Sequence, residues 1–322
     1  MRFLLIGSGQ IGSRHLQSIV QIDGANTFDV LDICKESIEN TKKIINDKSL
    51  IDKINFYTNW SKIYKNYYDL VFLTSQANVR YELLNKLVDS CNIKNIIFEK
   101  VLFQNVNNYK DAIDILNSNK IKGWVNCPRR MYLFYKDIKK NLNKNHTINV
   151  TMSGGTDINI ASNVIHLVDL VNFFTNEMLT EVVSNELNKE IISNQRKGNI
   201  EFTGKLICKF SNGSRLEIIS DSKKKIDQNI IINTQENKYL INETLAKIKK
   251  IDYDGNNTVS KVHIPFQSEL SKIMAENLEL NNNPGIVDFE TSARLHLPII
   301  RKLLEFYNIV SENKTNHILP IT

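Results

Sequence analysis

Three glycines near the start of the chain have the spacing of a phosphate-binding turn. Gly7, Gly9 and Gly12 follow the apolar run Phe3–Ile6 in a G-x-G-x-x-G pattern, and apolar residues then recur at helical intervals. Glycine allows a tight turn at the first position, backbone approach to a pyrophosphate at the second, and close packing of helix on strand at the third. The start of the helix also offers N–H groups and partial positive charge to phosphates. The predicted cofactor-binding residues of this turn are Gly7, Gly9, Gln10, Ile11 and Gly12.

An acidic residue follows the second predicted strand. Asp32 comes directly after the apolar segment Thr27–Leu31, about 25 residues after Gly7. In dinucleotide-binding domains a carboxylate near this position binds the ribose diol of NAD, and it would repel the 2′-phosphate of NADP. Lys35 lies close in sequence and keeps NADP open. We therefore predict NAD as the cofactor, with NADP as the alternative.

Polar residues also follow the fourth and fifth predicted strands. Thr74 and Ser75 come after one apolar strand, and Glu99 and Lys100 come after the next. Ligands of a doubly wound sheet bind at the carboxyl ends of its strands, so we expect these four residues to face the cofactor. A lysine there can hydrogen-bond the cofactor ribose and the substrate hydroxyl, or act as an acid or base. The alternative is a solvated loop lysine.

His166 lies in a strongly apolar predicted helix, Ser162–Phe174. It is the only one of the six histidines embedded in such a helix with a carboxylate, Asp169, three residues later. A neutral imidazole there could shuttle the proton that accompanies hydride transfer. The alternative is a core histidine bonded to backbone or to Asp169. No third ligand is apparent near these two residues in the sequence, so no metal site is predicted.

Two adjacent arginines follow the sixth predicted strand. Arg129 and Arg130 come after Asn126, where the first run of alternating elements ends. A guanidinium binds carboxylate and phosphate groups with two parallel hydrogen bonds. We predict that both arginines reach a substrate carboxylate, phosphate or sugar hydroxyl, and the alternative is a pair of surface charges at a helix start.

These residues need particular elements to position them. Up to residue 122, strands alternate with helices, one of them expected to begin near Ser61, which predicts a doubly wound parallel sheet. Residues 182–264 contain short alternating segments and turn signals, which predict an antiparallel sheet. Helices are predicted at Glu269–Leu280 and Phe289–Tyr307, with a kink at Pro298. The predicted fold class is α/β, with a dinucleotide-binding Rossmann domain over residues 1–122 and an α+β substrate and oligomerisation domain over 123–322, whose C-terminal helix packs back on the first.

Composition narrows the classes of partner. The 322 residues are 42% hydrophobic and 24% charged, which is ordinary for a soluble globular protein. The net charge is +6, and the basic residues alternate with acidic residues and asparagines instead of forming blocks. Nucleic acid is therefore not expected as a partner. No apolar stretch reaches the length of a membrane span, and the apolar start leads into the glycine turn rather than a cleavage site. We expect a cytoplasmic protein that binds no membrane.

Several elements together resemble the Gfo/Idh/MocA family of NAD(P)-dependent oxidoreductases. They are GSGQIGSRHL, the TS after the fourth strand, FEKVL after the fifth, VNCPRR, and GG followed by SNVIHLVDL. The resemblance runs along nearly the whole chain. It implies a Rossmann domain joined to a second domain with an open sheet, a catalytic lysine at Lys100 and a catalytic histidine at His166.

Two positions depart from the family pattern. Val101 stands where the family has proline after the lysine, so the loop is expected to be less rigid or shaped differently. Ser162 stands where the family often has aspartate four residues before the histidine, and a serine cannot stay ionised to support an imidazolium. With Asn163, Ser162 is expected to orient substrate hydroxyls instead. The predicted substrate-binding residues are Arg129, Arg130, Ser162, Asn163 and Asp169.

The resemblance also implies an activity. It predicts an NAD(P)-dependent dehydrogenase or reductase that moves a hydride between nicotinamide and a hydroxyl or keto carbon of a sugar or nucleotide-sugar, as in surface-polysaccharide biosynthesis. Two alternatives are an NAD-dependent glycoside-cleaving enzyme of the same family type and a non-catalytic dinucleotide-binding or sensing protein. An apolar sheet face would need a cover, so a homodimer or homotetramer through the second domain is expected.

Overall fold

The chain forms two compact units in a computed structural model that describes residues 1–143, 146–221 and 228–322. The first unit contains Met1–Phe103, Asn107–Asn126 and Pro265–Thr291. The second contains Gln104–Val106, Cys127–Ile264 and Ser292–Thr322. Residues 265–291 therefore belong to the first unit, although residues 127–264 before them belong to the second. A single boundary between residues 122 and 123 does not describe this division.

Up to Asn126, strands alternate with helices because apolar runs suited to a buried sheet are separated by segments with helical apolar spacing. A 3₁₀ turn, Trp60–Lys62, stands where a helix was predicted near Ser61, so that prediction is wrong. The elements are β1 (Arg2–Ile6), α1 (Gln10–Ile19), β2 (Thr27–Leu31), α2 (Lys35–Ile45), α3 (Lys48–Ile51), β3 (Ile54–Tyr57), β4 (Tyr67–Leu73), α4 (Arg80–Ser90), β5 (Asn92–Phe98), α5 (Asn108–Ser118) and β6 (Lys122–Val125).

After Asn126 the chain contains more strands than helices. Two further 3₁₀ turns, Pro128–Met131 and Thr156–Ile158, precede helices. The elements are α6 (Leu133–Lys140), β7 (Asn149–Gly154), α7 (Ile160–Thr175), β8 (Leu179–Leu187), β9 (Ile192–Ser193), β10 (Ile200–Glu201), β11 (Gly204–Phe210), β12 (Arg215–Ser220), β13 (Asn229–Asn233), β14 (Asn237–Asn242), β15 (Lys247–Asp252), β16 (Asn257–Lys261), α8 (Gln267–Asn281), β17 (Val287–Asp288) and α9 (Phe289–Val310), which contains Pro298.

The first unit is built on a seven-stranded sheet. Its order is β3-β2-β1-β4-β5-β6-β17, and the six strands up to β6 run parallel while β17 pairs antiparallel with β6. This is the doubly wound order, with the change of direction between β1 and β4, where such sheets bind ligands. The predicted Rossmann sheet is confirmed. Strands β1 and β4 are almost fully buried apolar segments, as expected of strands covered on both faces.

The second unit is built on an eight-stranded sheet. Its order is β16-β15-β14-β13-β7-β12-β11-β8, and every neighbouring pair is antiparallel except β7 with β12. A mostly antiparallel sheet was predicted and is confirmed. Apolar residues alternate along β12 and β13, so one face is buried while the other remains partly exposed. The apolar helix α7 packs against β12. Within the described residues, no helix has both the length and the apolar character needed to cross a membrane.

Candidate cofactor site and active-site residues

The three glycines of the first turn meet different surroundings. Gly7 has φ of +91°, a conformation that favours glycine, and its N–H donates to the Leu31 carbonyl at 3.0 Å. A Cβ at Gly12 would lie 2.0 Å from the Gly7 carbonyl oxygen, so only glycine lets α1 start this close to the turn. At Gly9 no heavy atom of the described chain lies within 4 Å of where a Cβ would be. The turn therefore leaves open space beside Gly9, where a pyrophosphate can approach the backbone.

Asp32 is held at the exit of β2 by the turn itself. Its Oδ2 accepts hydrogen bonds from the Ser8 N–H at 2.6 Å and the Ser8 hydroxyl at 3.0 Å, and its Oδ1 accepts one from the Cys34 N–H at 2.8 Å. A cavity of about 480 Å³ opens beside it, which is a suitable size for part of a dinucleotide. Its lining residues are Ile6, Gly7, Leu31, Asp32, Ile33, Trp60, Ser75, Gln76, Asn78, Val79, Glu82 and Leu83.

Thr74 and Ser75 close the other side of this turn at the exit of β4. The Thr74 hydroxyl donates to the Gly7 carbonyl at 2.6 Å and lies 3.0 Å from the Ile6 carbonyl, which ties β4 to the glycine turn. Ser75 lines the cavity next to Asp32. Of the other predicted turn residues, Gln10 begins α1 and is exposed, and Ile11 is partly exposed. Of the residues predicted to bind the cofactor, Gly7, Asp32 and Ser75 thus line one cavity, whereas Gly9, Gln10, Ile11, Gly12 and Thr74 are not among its lining residues.

A buried arginine that sequence reasoning missed fastens the loop after β5. Arg80, at the start of α4, is 1% exposed. Its guanidinium donates to the carbonyls of Ser75, Val101 and Leu102, the last at 2.9 Å. One planar group therefore joins the loop after β4 to the loop that carries Lys100, using the fixed fork of donors that only arginine has.

Glu99 belongs to a closed ring of polar side chains, all of them buried except the partly exposed Gln267. Its Oε1 is 2.9 Å from His15 Nε2 and accepts a hydrogen bond from Asn126 Nδ2 at 2.5 Å. Asn126 Nδ2 also donates to Gln267 Oε1 at 2.8 Å, and Gln267 Nε2 donates to the Ser271 hydroxyl at 3.0 Å. The Ser271 oxygen lies 2.8 Å from His15 Nδ1, which closes the ring. The ring joins α1, the ends of β5 and β6, and α8.

The ring can hold His15 in either protonation state. With a neutral imidazole, the Ser271 hydroxyl donates to Nδ1 while Nε2–H donates to Glu99. With an imidazolium, Nδ1–H donates to Ser271, whose hydroxyl turns to the Gln267 carbonyl 3.2 Å away. Burial opposes ionisation of Glu99, but its bonds to His15 and Asn126 and the charge of Arg80 outweigh it, so the pKa of Glu99 lies below its ordinary value.

Lys100 directly follows Glu99 and is partly exposed. The peptide bond between Lys100 and Val101 is cis. Val101 and the two residues after it are buried, and Arg80 holds the carbonyls of Val101 and Leu102. The lysine is therefore presented from a fixed backbone rather than from a long surface loop, although the family proline is absent.

In the second unit, α7 presents His166 on a narrow accessible strip. From Ile160 to Asn172 every residue of the helix is buried except Asn163 and His166, which are partly exposed. Residues three apart lie on the same side of a helix, so these two polar side chains share one face. Asn163 Nδ2 donates to the Ile158 carbonyl at 2.9 Å. Asn163 and His166 are thus the accessible part of an otherwise buried stretch of α7.

The two arginines predicted to bind substrate both form ion pairs, and both arginine side chains are partly exposed. Arg129 makes two parallel hydrogen bonds to Glu243, at 2.9 and 2.6 Å, and the Tyr135 hydroxyl donates to the same carboxylate at 2.9 Å. Burial opposes the charge of Arg129, but Glu243 outweighs it and raises the pKa of the guanidinium. Arg130 Nε donates to Asp169 Oδ2 at 2.7 Å, and Arg130 also bonds Asn172. Asp169 and Arg130 are thus brought together, with Asp169 fully buried.

Ser162 lies in the first turn of α7 and contacts a carboxylate of β10. Its hydroxyl donates to Glu201, the last residue of β10, and the side chain is nearly fully buried. Glu201 was not among the predicted site residues, because nothing near it in the sequence points to α7. Among the described residues, no group of three or more His, Cys, Asp or Glu side chains is arranged to hold a metal ion.

Comparison with known proteins identifies the class of the first unit. Residues 1–127 match the model of the Gfo/Idh/MocA family, described as an oxidoreductase family with an NAD-binding Rossmann fold. The first 127 residues are therefore similar to the NAD-binding Rossmann domain of this oxidoreductase family. The resemblance and the predicted cofactor are confirmed. None of the curated proteins compared with the chain matches it.

Solved structures share the fold along nearly the whole chain. A UDP-N-acetylglucosamine 3-dehydrogenase from Acidithiobacillus ferrooxidans is 11% identical, with 94% of this chain and 96% of that chain covered at a TM-score of 0.70. A dehydrogenase from Clostridium difficile is 16% identical, with 95% and 99% covered and a TM-score of 0.67. An oxidoreductase from Agrobacterium radiobacter, crystallised with NAD+, L-tartaric acid and magnesium, is 11% identical, with 93% and 94% covered and a TM-score of 0.67. At these identities the likeness shows a common fold.

Proposed function

We propose that the chain is an NAD(P)-dependent dehydrogenase or reductase acting on a hydroxyl or keto carbon of a sugar or nucleotide-sugar. The observation that carries this proposal is the cavity at the exits of β1, β2 and β4. Asp32 is held at this cavity, the space beside Gly9 in the same glycine turn is open, and Lys100 follows the next strand of the sheet. These features suit a dinucleotide whose reactive end requires a proton donor and acceptor nearby.

The residues of the first unit fit NAD. The glycine turn and the start of α1 would hold the pyrophosphate, while Asp32 would bind the ribose diol and disfavour a 2′-phosphate. Bound nicotinamide supplies the hydride donor or acceptor. Lys100 would hydrogen-bond the ribose and the substrate hydroxyl.

His166 is proposed to exchange the proton of the substrate hydroxyl. Its accessible position on α7 supports a role at a binding surface, and an imidazole changes charge near neutral pH. Asn163 shares its face of the helix and is proposed to orient substrate hydroxyls. Arg130 and Asp169 are proposed to support the substrate site as a fixed ion pair, and Arg129 does so through Glu243.

The substrate class rests on likeness and is a proposal for this chain. The Acidithiobacillus ferrooxidans protein is a dehydrogenase of a nucleotide-sugar, and it has this fold over nearly its whole length. We therefore favour a nucleotide-sugar over a free sugar, in the cytoplasm and in polysaccharide biosynthesis. We also propose that a second copy of the chain covers the partly exposed face of the second unit's sheet, giving a homodimer or homotetramer.

A screen of substrates tests this function. Purified protein would be mixed with NAD+ or NADP+ and a panel of sugars and nucleotide-sugars, and reduction followed by absorbance, with mass spectrometry for cofactor retained from purification. Turnover is expected with a nucleotide-sugar and NAD+, and His166→Asn should lower kcat by about 10²–10⁴-fold with cofactor binding intact. Glycoside cleavage without net NAD reduction would instead support the hydrolytic alternative. Cofactor binding without any turnover would support the sensing alternative.

A further inference from the structure

A buried carboxylate lies at the first turn of the helix that carries His166. Glu201 is 0% exposed, and its Oε2 accepts a hydrogen bond from the Ala161 N–H at 2.8 Å. Its Oε1 accepts one from the Ser162 N–H at 3.2 Å, one from the Ser162 hydroxyl and one from Asn194 Nδ2 at 3.2 Å. Four donors, all neutral, therefore converge on the two oxygens.

The Glu201 carboxylate caps the start of α7, although it belongs to a different element. The residue before α7 is Asn159, which has φ of +50° and makes no capping hydrogen bond with its side chain. The N–H groups of the first turn need partners, and a negative charge there is stabilised by the helix dipole. Burial raises the pKa of Glu201, and the four hydrogen bonds oppose that rise. The donor set matches an ionised carboxylate better than a protonated one, since every partner donates.

Glu201 also determines which hydrogen bonds the Ser162 hydroxyl can donate and accept. A hydroxyl has one hydrogen to donate, and Ser162 gives it to Glu201. Any further partner of the Ser162 oxygen must then be a donor, such as Asn194 Nδ2 at 3.5 Å. Ser162 precedes His166 by four residues, which places both on one side of the helix a single turn apart.

We propose that Glu201 is a positioning residue for the acid–base function of α7. Through two backbone N–H groups and the Ser162 hydroxyl, it fixes the first turn of the helix and holds Ser162 as an acceptor one turn before His166. The proposal rests on the proposed function, since it assumes that His166 exchanges the substrate proton. It assigns the carboxylate that supports the first turn of α7 to Glu201 of β10.

A double-mutant cycle tests the link between the two side chains. Glu201→Gln, Ser162→Ala and the double variant would be compared with the full-length protein for kcat, KM, NADH affinity and Tm. Each single change is expected to lower kcat about tenfold or more, with KM and NADH affinity within about threefold. Because the residues act through one hydrogen bond, the double variant should be little worse than Glu201→Gln alone. Ser162→Thr keeps the hydroxyl and should recover most of the activity.

A matched control separates positioning from simple loss of stability. Val171→Ala truncates a buried side chain of the same helix, about two and a half turns from Ser162, and should lower Tm with kcat nearly unchanged. The positioning role is refuted if Glu201→Gln or Ser162→Ala lowers kcat no more than Val171→Ala does for the same loss of Tm. It is also refuted if the effects of Glu201→Gln and Ser162→Ala on kcat simply add in the double variant. His166→Asn, measured alongside, separates failure of the proposed function from failure of this inference. If His166→Asn leaves kcat unchanged, the proposed function itself is refuted. If His166→Asn lowers kcat but Glu201→Gln does not, only this inference is refuted.

Discussion

Gly9 and Gly12 are both glycines of the phosphate turn, yet a side chain would be tolerated at only one of them. At Gly9 the space is open, so Gly9→Val should leave the fold and Tm nearly unchanged while abolishing NADH binding, because the side chain occupies the path to the pyrophosphate. At Gly12 even a methyl group would collide with the Gly7 carbonyl, so Gly12→Ala should lower Tm. Calorimetry and NADH fluorescence titration of both variants check this. Normal NADH affinity in Gly9→Val would contradict the assigned cofactor site.

Glu99 should make the stability of the protein sensitive to acid. Its pKa in the folded protein is lowered from the ordinary 4.5, so its ionised form contributes stability above that pH, and the contribution is lost as the pH falls through and below it. We expect Glu99→Gln to lower Tm at pH 7 and to flatten the fall in Tm between about pH 5 and pH 3. Thermal unfolding across that range measures the effect.

The control for acid stability is an exposed carboxylate of the same unit. Glu39 has a side chain 61% exposed and pairs with Lys42 on α2. Exposed pairs of this kind contribute little, so Glu39→Gln should leave the pH profile of Tm close to that of the unchanged protein. Equal flattening in both variants would show that the buried ring around Glu99 has no special part in acid sensitivity.

At the scale of elements, the site depends on how the loops after β4 and β5 are joined. Arg80 makes that link through three carbonyls, so its removal leaves buried acceptors without donors. Arg80→Met should lower Tm by several degrees and raise amide hydrogen exchange in residues 99–103. Arg80→Lys should recover little, because an ammonium cannot reproduce the planar fork. Lys86→Met, an exposed position on the same helix, is the control, and unchanged exchange after Arg80→Met would contradict this role.

The strands of the first unit could be predicted closely because each is an apolar run that ends at a turn. β2 has the predicted bounds, Thr27–Leu31. The helix predicted near Ser61 is wrong because the segment closes after one 3₁₀ turn, Lys65 takes a positive φ, and β4 begins two residues later. Few residues separate β3 from β4, and they are used in crossing from one strand to the next.

The contacts that complete the candidate site could not be predicted from local pattern. Periodicity reports which face of an element is buried, whereas Arg80 and Glu201 act on residues about 20 and 40 positions away in sequence. An arginine at a helix start and a glutamate at the end of a two-residue strand resemble ordinary surface residues until the fold brings their partners to them. The glycine turn and Asp32 could be found because their spacing is itself the signal.

At the scale of the whole molecule, the partly exposed sheet face of the second unit should decide the oligomeric state. Ile231 pairs with Leu240 on β14 and with Thr151 on β7, which places a row of half-exposed side chains across the sheet. Combining Ile231→Lys with Leu240→Lys should reduce the mass in light scattering to the 37.1 kDa of one chain, because charge cannot be buried in such an interface without a partner. Leu280→Lys, at a residue 79% exposed on α8, is the control. A monomer before any substitution would contradict the proposed assembly.

The return of residues 265–291 to the first unit sets the order in which that unit can be completed. Ser271 meets His15 across 256 positions of sequence, and β17 pairs with β6 only after Cys127–Ile264 of the second unit have been made. As the nascent chain leaves the ribosome, residues 1–126 can form their parallel strands before α8 exists. Until α8 is made, the polar ring is incomplete and the surface of α1 that α8 covers is exposed to solvent. The NAD-binding unit is thus finished among the last parts of the protein to be synthesised, and a gene cut after residue 126 would encode an unfinished fold.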